Sequence, residues 1–252
     1  SLNRPDKANA LNEKLWQEIP DFFKWADQEA SIRVVVLKGE GKHFCAGIDL
    51  SVLAGLSQNL PQEIGRRSEA LEKKILEFQD SFNAIEKCHK PVIAQIHGAC
   101  LGGGLDLVAA CDLRFASQEA EFAIKEIDMG MVADVGTLQR LPKLMNLAWL
   151  SELAYTGRTL KAPEAKEVGL LNECFASLEA LEQKVEEVAN QMAKKSPLAL
   201  RHTKAMLLYA RDHSVEENLK YIARLNSSLL LSEDVKKSVM AFLEKKTADY
   251  ED

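Results

Sequence analysis

Three carboxylates lie in a segment that is otherwise built from glycine and small apolar residues. Asp106, Glu126 and Asp134 belong to residues 98–143, which read GACLGGGLDLVAACDLRFASQEAEFAIKEIDMGMVADVGTLQRLPK. A carboxylate buried among such neighbours is destabilising unless it is paired or functional, and burial raises its pKa toward the range useful for proton transfer. The segment therefore predicts an acid-base site.

A structural role is the alternative for each of these acids taken alone. Helix capping, or an ion pair with Arg114, Lys125 or Arg140, explains a single acid about as well as catalysis does. The ordered set of three favours the acid-base interpretation. Three other acids are assigned to helix starts, turns or structural pairs: Asp49, Asp112 and Asp128.

Two turns of small residues precede predicted helices. Residues 43–50 read HFCAGIDL and residues 101–107 read LGGGLDL. Such turns expose backbone N–H groups that can stabilise a negative oxygen on a reacting carbonyl, although tight packing is the more frequent reason for a glycine turn before a helix. The glycine run has neither GxGxxG spacing nor a P-loop Lys-Ser or Lys-Thr, so nucleotide binding is not predicted. Covalent catalysis is not favoured, because there is no GxSxG elbow and no evident base beside Cys45.

Composition excludes several classes of protein. The chain has 252 residues, 46% apolar and 28% charged, which is normal for a globular enzyme. A net charge of -6 argues against binding to nucleic-acid phosphates. The five cysteines and five histidines show no disulfide or metal-ligand spacing, so no metal site is predicted. No run of about 20 apolar residues predicts a membrane span.

The apolar pattern predicts alternating helices and strands in the first part of the chain. One helix is predicted over residues 11–30, with Asn9 as its cap, and a long amphipathic helix over residues 62–87. Four strands are predicted over residues 31–37, 91–97, 113–116 and 122–124.

Beyond about Leu150 the strand signal vanishes and the pattern is helical. Helical segments are predicted over residues 165–170, 178–194, 197–211, 215–231 and 234–246. The resulting fold class is an α/β core with a C-terminal helical region. The apolar faces of that region predict a partner subunit.

Several motifs, in this order, resemble the crotonase (enoyl-CoA hydratase/isomerase) superfamily: FCAGIDL, then KPVIAQIHGACLGGGLDLVAACDLR, then EFAIKEIDMGMVADVGTLQRLPK. The opening SLNRPDKANAL and the later SPLALRHTK extend the resemblance over nearly the whole chain. It implies a spiral of ββα units over residues 1–195, carrying the active site. Residues 196–252 are then a helical trimerisation region, which implies a homo-oligomer, either a trimer or a dimer of trimers.

The three acids resemble the branch of that superfamily that isomerises dienoyl-CoA thioesters. Ordinary hydratases of the superfamily carry glutamates at the first two positions and glycine where Asp134 stands. The resemblance implies conversion of a 3,5-dienoyl-CoA to a 2,4-dienoyl-CoA in fatty-acid β-oxidation. Asp134 would remove the C2 proton, Glu126 would protonate C6, and Asp106 would tune its neighbours or hold substrate or water.

The same resemblance implies the binding residues. The peptide N–H groups of Ile48 and Gly103 would form an oxyanion hole for the thioester carbonyl. Coenzyme A would enter as part of the substrate, with no other cofactor, and Lys7 is the best candidate to meet a CoA phosphate. The implied CoA and substrate contacts are Arg4, Lys7, Ala8, Ala46, Gly47, Ile48, Asp49 and Leu50.

Two other functions remain open. An enoyl-CoA hydratase would add water to a 2-enoyl-CoA and depend less on Asp134, and some members of the superfamily are RNA-binding or scaffold proteins. The resemblance implies a mitochondrial or peroxisomal location, or a cytoplasmic one for a bacterial chain. The abrupt opening at SLNRPDK predicts that a strand or targeting peptide precedes it, and no SKL-type address is present.

Overall fold

The computed structural model describes residues 1–56, 58 and 60–251. Within this part of the chain there are seven strands: β1 (Val35–Lys38), β2 (Val92–Ile96), β3 (Ala99–Leu101), β4 (Leu113–Ser117), β5 (Glu121–Ala123), β6 (Leu160–Lys161) and β7 (Glu173–Phe175). They form a fully parallel sheet in the order β1-β2-β4-β7 and a smaller sheet in the order β3-β5-β6. In the smaller sheet β3 and β5 are parallel, whereas β5 and β6 are antiparallel.

The same residues form eleven α-helices: α1 (Glu13–Gln28), α2 (Leu50–Gly55), α3 (Ile64–Lys87), α4 (Gly103–Ala109), α5 (Thr137–Arg140), α6 (Leu147–Thr156), α7 (Ala162–Glu167), α8 (Leu178–Ala193), α9 (Pro197–Ala210), α10 (Val215–Leu229) and α11 (Glu233–Leu243). Three short 3-10 helices cover Pro5–Lys7, Ile127–Met129 and Leu141–Lys143. The predicted α/β core with C-terminal helices is confirmed. None of the helices in the described residues is long and apolar enough to cross a membrane.

The parallel sheet is covered on both faces. Every residue of β2 is buried, as expected for a central strand between two layers. On one face Ile93 packs with Phe115 of β4 and with Leu181 and Val185 of α8. The alternate residues of β2 join the larger core, which extends to α4, the helix that carries Asp106.

Helices α1 and α3 pack through aromatic side chains. Asn12 caps α1, because its side chain accepts a hydrogen bond from the Leu15 N–H at 3.0 Å. Trp16 of α1 lies between Phe78 and Phe82 of α3, with ring centroids 4.5 and 4.9 Å apart. This contact anchors the C-terminal half of α3, which faces the acid site.

The predicted capping role of Asn9 is wrong. Asn9 is fully buried in a left-handed conformation, with φ 55°. Its amide nitrogen donates to the carbonyls of Glu40 and His43 at 2.9 and 2.7 Å, and its Oδ1 accepts from the Arg4 N–H. Asn9 therefore ties the N-terminal segment to the loop after β1 instead of starting a helix.

The prediction that strands end near Leu150 is also wrong, because β6 and β7 follow. β6 has two residues and β7 has three. Strands this short carry no readable alternation of apolar and polar residues. β7 completes the parallel sheet by pairing Phe115 with Glu173.

Candidate active site

The turn that starts α4 requires glycine at two positions, Gly102 and Gly104. Gly102 has a positive φ of 48°, which glycine adopts without strain. A Cβ on Gly104 would lie 2.5 Å from the carbonyl oxygen of Cys45, a backbone atom that cannot rotate away. The glycine run thus lets α4 begin against the strand-like segment that contains Cys45 and Gly47.

Two backbone amides are neighbours at this turn. Leu11 donates to the Gly47 carbonyl at 2.8 Å and accepts from the Asp49 N–H at 3.0 Å. Ile48 lies between Gly47 and Asp49 in the chain, so its N–H points away from Leu11. Gly103 is the first residue of α4, so its N–H has no acceptor within the helix. A Cβ on Gly103 would be 3.6 Å from the Ile48 nitrogen, so the structure brings the two predicted oxyanion donors together.

Asp106 is fully buried on α4. Its Oδ1 accepts a hydrogen bond from the Thr137 N–H at 2.5 Å, whereas its Oδ2 is buried with no hydrogen-bond partner among the described residues. Burial raises the pKa of Asp106 to about 7 against the effect of the Thr137 hydrogen bond, and the nearby charge of Glu126 raises it further. Asp106 can therefore gain or lose a proton near neutral pH.

Glu126 follows β5 and precedes the 3-10 helix Ile127–Met129. Its carboxylate reaches the start of α4, since a Cβ on Gly102 would lie 3.1 Å from its Oε1. Its Oε2 is buried and has no hydrogen-bond partner in the part of the chain that is described. Burial raises the pKa of Glu126, and the charge of Asp134 adds to this effect.

Asp134 lies on the loop between that 3-10 helix and α5. The residue is exposed, but partial desolvation of its carboxyl raises its pKa. It lines a cavity of about 310 Å³ bounded by α3 and α5. The charge of Asp134 also acts on Glu126, where it favours the protonated form and so raises the pKa of Glu126.

Of the structural alternatives for the three acids, the ion pairs are not formed among the described residues, whereas Asp106 does bind the N–H of Thr137, the first residue of α5. Lys125 pairs with Asp128 at 2.8 Å, and Arg140 pairs with Glu86 at 3.2 Å. Arg114 donates to backbone carbonyls instead. Within residues 1–56, 58 and 60–251, none of the three cations forms an ion pair with the three acids.

The structural roles predicted for three other acids are confirmed. Asp49 caps α2 by accepting from the Ser51 N–H at 3.0 Å, and hydrogen bonds from the Ser51 hydroxyl and from this N–H lower the pKa of Asp49 to about 2. Asp112 pairs with Lys204 at 2.8 Å, and Asp128 forms the pair with Lys125 given above.

The two segments predicted to bind coenzyme A lie side by side. The Ala46 N–H donates to the Ala8 carbonyl at 2.9 Å, and Arg4 pairs with Asp49 at 3.0 Å. The side chains of Lys7 and Leu50 are exposed beside this junction. Contact of these segments with coenzyme A stays a prediction.

Cys45 is not placed as a nucleophile. Its side chain is fully buried and contacts the Asn9 carbonyl at 3.3 Å. Burial raises the pKa of this thiol to about 12, so it stays protonated at neutral pH.

Three residues that contact the loop of Asp134 were not predicted as site residues. Thr137 donates to Asp106, Gln79 donates to the Asp134 carbonyl at 2.7 Å, and Arg140 donates to the Val135 carbonyl at 3.2 Å. Thr137 and Arg140 belong to the TLQR sequence directly after the VADVG segment, and this position in the chain could have indicated them. Gln79, 55 residues away, gave none.

The chain matches the model of a family described as enoyl-CoA hydratase/isomerase over residues 1–252. It is 46% identical over 247 residues to a protein of Arabidopsis thaliana named Delta(3,5)-Delta(2,4)-dienoyl-CoA isomerase, peroxisomal, covering 97% of this chain and 89% of the relative. A Homo sapiens protein named Delta(3,5)-Delta(2,4)-dienoyl-CoA isomerase, mitochondrial, is also 46% identical, with 97% and 75% covered. The solved enoyl-CoA hydratase of Bacillus anthracis superposes with a TM-score of 0.89 at 32% identity, covering 99% of this chain and 93% of that one.

Proposed function

Because the chain belongs to the enoyl-CoA hydratase/isomerase family, we propose that it isomerises a 3,5-dienoyl-CoA to a 2,4-dienoyl-CoA in fatty-acid β-oxidation. The observation that carries the proposal is a third acid, Asp134, in addition to the buried Asp106 and the half-buried Glu126. The likeness to relatives named dienoyl-CoA isomerase supports it. The crotonase-like fold accords with the solved structures of the family.

The proposed reaction begins at the thioester carbonyl. Its oxygen accepts hydrogen bonds from the amides of Ile48 and Gly103, which stabilises the negative charge that develops when the C2 proton leaves. Asp134 takes that proton and becomes neutral. The resulting dienolate spreads its charge along the conjugated chain to C6.

Glu126 completes the reaction by protonating C6. Its raised pKa favours the protonated form that a general acid requires, and delivery of the proton leaves Glu126 ionised. One proton is removed and one is added, so the product is an isomer of the substrate. The proton on Asp134 must then return to Glu126, directly or through water, before the next turnover.

Asp106 supports this exchange in our proposal. Its pKa of about 7 and its electrostatic contact with Glu126 keep the protonation of the two groups coupled. Thr137 holds one oxygen of Asp106 in place, whereas the other oxygen is left for substrate or water.

Coenzyme A is the carrier of the substrate in this proposal. The adjoining segments around Ala8 and Ala46 would bind it, with Lys7 contacting a phosphate. No further cofactor takes part, because two carboxylates and two amides suffice for a proton shift along a conjugated thioester.

We also propose a homo-oligomer, a trimer or dimer of trimers. Helix α10 buries none of its residues. Two of its apolar side chains are largely exposed, Leu219 at 63% and Val215 at 75%. Such apolar surface favours association with another subunit. The names of two relatives include the words peroxisomal and mitochondrial, which supports a location in one of these organelles. If the chain is bacterial, we propose the cytoplasm instead.

Enoyl-CoA hydration is the second candidate. A protein of Bacillus subtilis named probable enoyl-CoA hydratase is 31% identical to this chain, covering 96% of it. Hydration needs two acids around one water, and Asp106 and Glu126 alone could supply them. The hydratase would tolerate loss of Asp134, whereas the isomerase would not.

An ultraviolet assay separates the two candidates. Purified protein is given a 3,5-dienoyl-CoA and, separately, a 2-enoyl-CoA, and both assays are repeated with Asp134→Asn. We expect a conjugated 2,4-dienoyl-CoA product from the wild type and a fall in kcat of roughly a thousandfold in the variant. Hydration that survives Asp134→Asn, without isomerisation by the wild type, would establish the hydratase instead.

A further inference from the structure

Helix α3 presents a polar stripe to the loop that carries Asp134. Gln79, Asn83 and Glu86 are spaced by four and three residues, so they lie on one face of the helix. Gln79 Nε2 donates to the Asp134 carbonyl at 2.7 Å. The other two side chains of this α3 stripe bind Arg140 of α5.

Arg140 connects the α3 stripe to the loop backbone. Its Nη2 donates to Asn83 Oδ1 at 2.7 Å, and its Nε lies 3.2 Å from Glu86 Oε1. Its Nη1 donates to the Val135 carbonyl at 3.2 Å. Side chains of α3 thus bind one side of the guanidinium, and the other side binds the loop backbone.

Gly136 leaves the space that Arg140 fills. A Cβ at this position would lie 1.7 Å from Arg140 Nη1, and the backbone has a φ of 139°. Any other residue would displace the guanidinium. The glycine and the arginine therefore form one unit, in which backbone and side chain pack directly together.

Glu86 is the residue of α3 that pairs with Arg140 by charge. Burial acts to raise its pKa, but the hydrogen bond from Arg211 and the charge of Arg140 outweigh it, so the pKa of Glu86 lies below its usual value. Glu86 therefore stays ionised at neutral pH. Arg211, just after α9, shares it with Arg140, so the C-terminal region contacts the same unit.

These contacts fix the loop at three points. The Asp134 carbonyl is held by Gln79, the Val135 carbonyl by Arg140, and the Thr137 N–H by Asp106. All three bonds are made by the backbone of the loop. The carboxylate of Asp134 is thereby left available for chemistry while its main chain is immobilised.

We propose that Arg140 is a positioning residue, which with the α3 stripe sets where the Asp134 carboxylate lies relative to Glu126 and the oxyanion amides. The inference rests on the proposed isomerase function. Arg140 does not touch the reacting atoms. It acts through the loop backbone, and a planar guanidinium with several donors does this in a way that an ammonium cannot.

The test compares Arg140→Lys and Gln79→Met with Gln139→Met. Gln139 lines the same cavity, and its side chain makes no hydrogen bond to any residue that the structure describes, so it is the matched control. Arg140→Lys keeps the charge but loses the geometry, and we expect kcat to fall about ten- to a hundredfold with KM changed less than about twofold. Gln79→Met removes one neutral hydrogen bond, and we expect kcat to fall about threefold to tenfold.

Hydrogen exchange gives a readout that needs no substrate. In Arg140→Lys the amides of residues 134–137 should exchange about tenfold faster, since a hydrogen bond from a charged group is lost, while exchange in β2 stays unchanged. A wild type that is inactive on the diene overturns the proposed function, yet the exchange experiment still tests the immobilised loop.

Two results would overturn the positioning role. One is a kcat within about twofold of the wild type in both Arg140→Lys and Gln79→Met. The other is a rise in KM without a fall in kcat, which would assign the stripe to substrate binding. If Arg140→Lys fails to fold, Gln79→Met alone decides the test. Gln79 lies at one end of the α3 stripe, and its replacement leaves no buried charge unpaired.

Discussion

The acid site and the last two helices distribute polar and apolar groups in opposite ways. All seven residues of α4 are buried, including the carboxylate of Asp106, whereas α10 buries none of its residues and α11 buries only Asp234. The site thus buries charge, and the C-terminal helices expose apolar surface. Large apolar side chains exposed on these helices and on the turn between them include Val215, Leu219, Leu230, Leu231, Val239, Met240, Phe242 and Leu243.

The difference separates two kinds of energetic cost. Buried carboxyl oxygens without hydrogen-bond partners among the described residues, on Asp106 and Glu126, destabilise the folded chain, and we attribute their presence to the proposed acid-base reaction. In the homo-oligomer that we propose, another subunit would cover the exposed apolar faces. The backbone contacts of the candidate site, in contrast, are all made within one chain.

Asp106→Asn should have the largest effect on stability. The pKa of Asp106 rises from an ordinary 3.8 to about 7 on folding, so the unfolded chain loses this proton more readily. The contribution of Asp106 to stability is therefore greatest below pH 3.8 and is lost as the pH rises through about 7. At pH 8 the variant should be more stable than the wild type by up to about 4 kcal/mol.

Urea unfolding from pH 4 to pH 8 measures this difference. The gap between variant and wild type should shrink toward acid pH, and kcat of the variant should fall about tenfold at pH 7. A gap that is independent of pH would mean that Asp106 is ionised throughout and that its burial does not control its protonation.

Gly104→Ala should have the next largest effect. The new methyl group would meet the Cys45 carbonyl at 2.5 Å, and we expect the free energy of unfolding to fall by about 2–3 kcal/mol, with loss of activity. Gly55→Ala, in α2, is the control because its Cβ meets nothing within 4 Å. The control should be neutral or stabilising by up to about 1 kcal/mol. Equal destabilisation by both substitutions would show that the α4 turn is not tightly packed.

Phe242→Asp combined with Leu243→Asp should change the stability of the single chain least. These side chains are 82% and 70% exposed, so the expected change is within about 0.5 kcal/mol per substitution. Assembly should respond strongly, because a charge would enter an apolar interface. Light scattering during size-exclusion chromatography should detect smaller particles. Leu76→Asp, on an exposed position of α3, is the control, and an unchanged mass in the double variant would remove these helices from the interface.

Local patterns were enough to predict the long elements. The helix predicted over residues 62–87 is realised as α3, and the strand predicted over residues 91–97 is realised as β2. Both signals come from residues close in sequence. Asn9 misled the prediction because its partners, Glu40 and His43, lie more than 30 residues away.

Only part of the candidate site could be predicted from the sequence. The glycine turns and the three acids stand out by residue type, but the contacts that organise them are distant. Thr137 binds Asp106 across 31 residues, and Arg140 binds Glu86 across 54. No periodicity records such pairs, so the immobilised loop required the folded structure.

Exchange of substrate protons in D₂O tests the division of roles between Asp134 and Glu126 most directly. Wild type, Asp134→Asn and Glu126→Gln are each incubated with a 3,5-dienoyl-CoA, and NMR locates deuterium at C2 and C6. We predict deuterium at C6 of the wild-type product, C2 exchange without C6 labelling in Glu126→Gln, and neither in Asp134→Asn. The reverse pattern, with C2 exchange retained in Asp134→Asn and lost in Glu126→Gln, would contradict the assignment of Asp134 as the base.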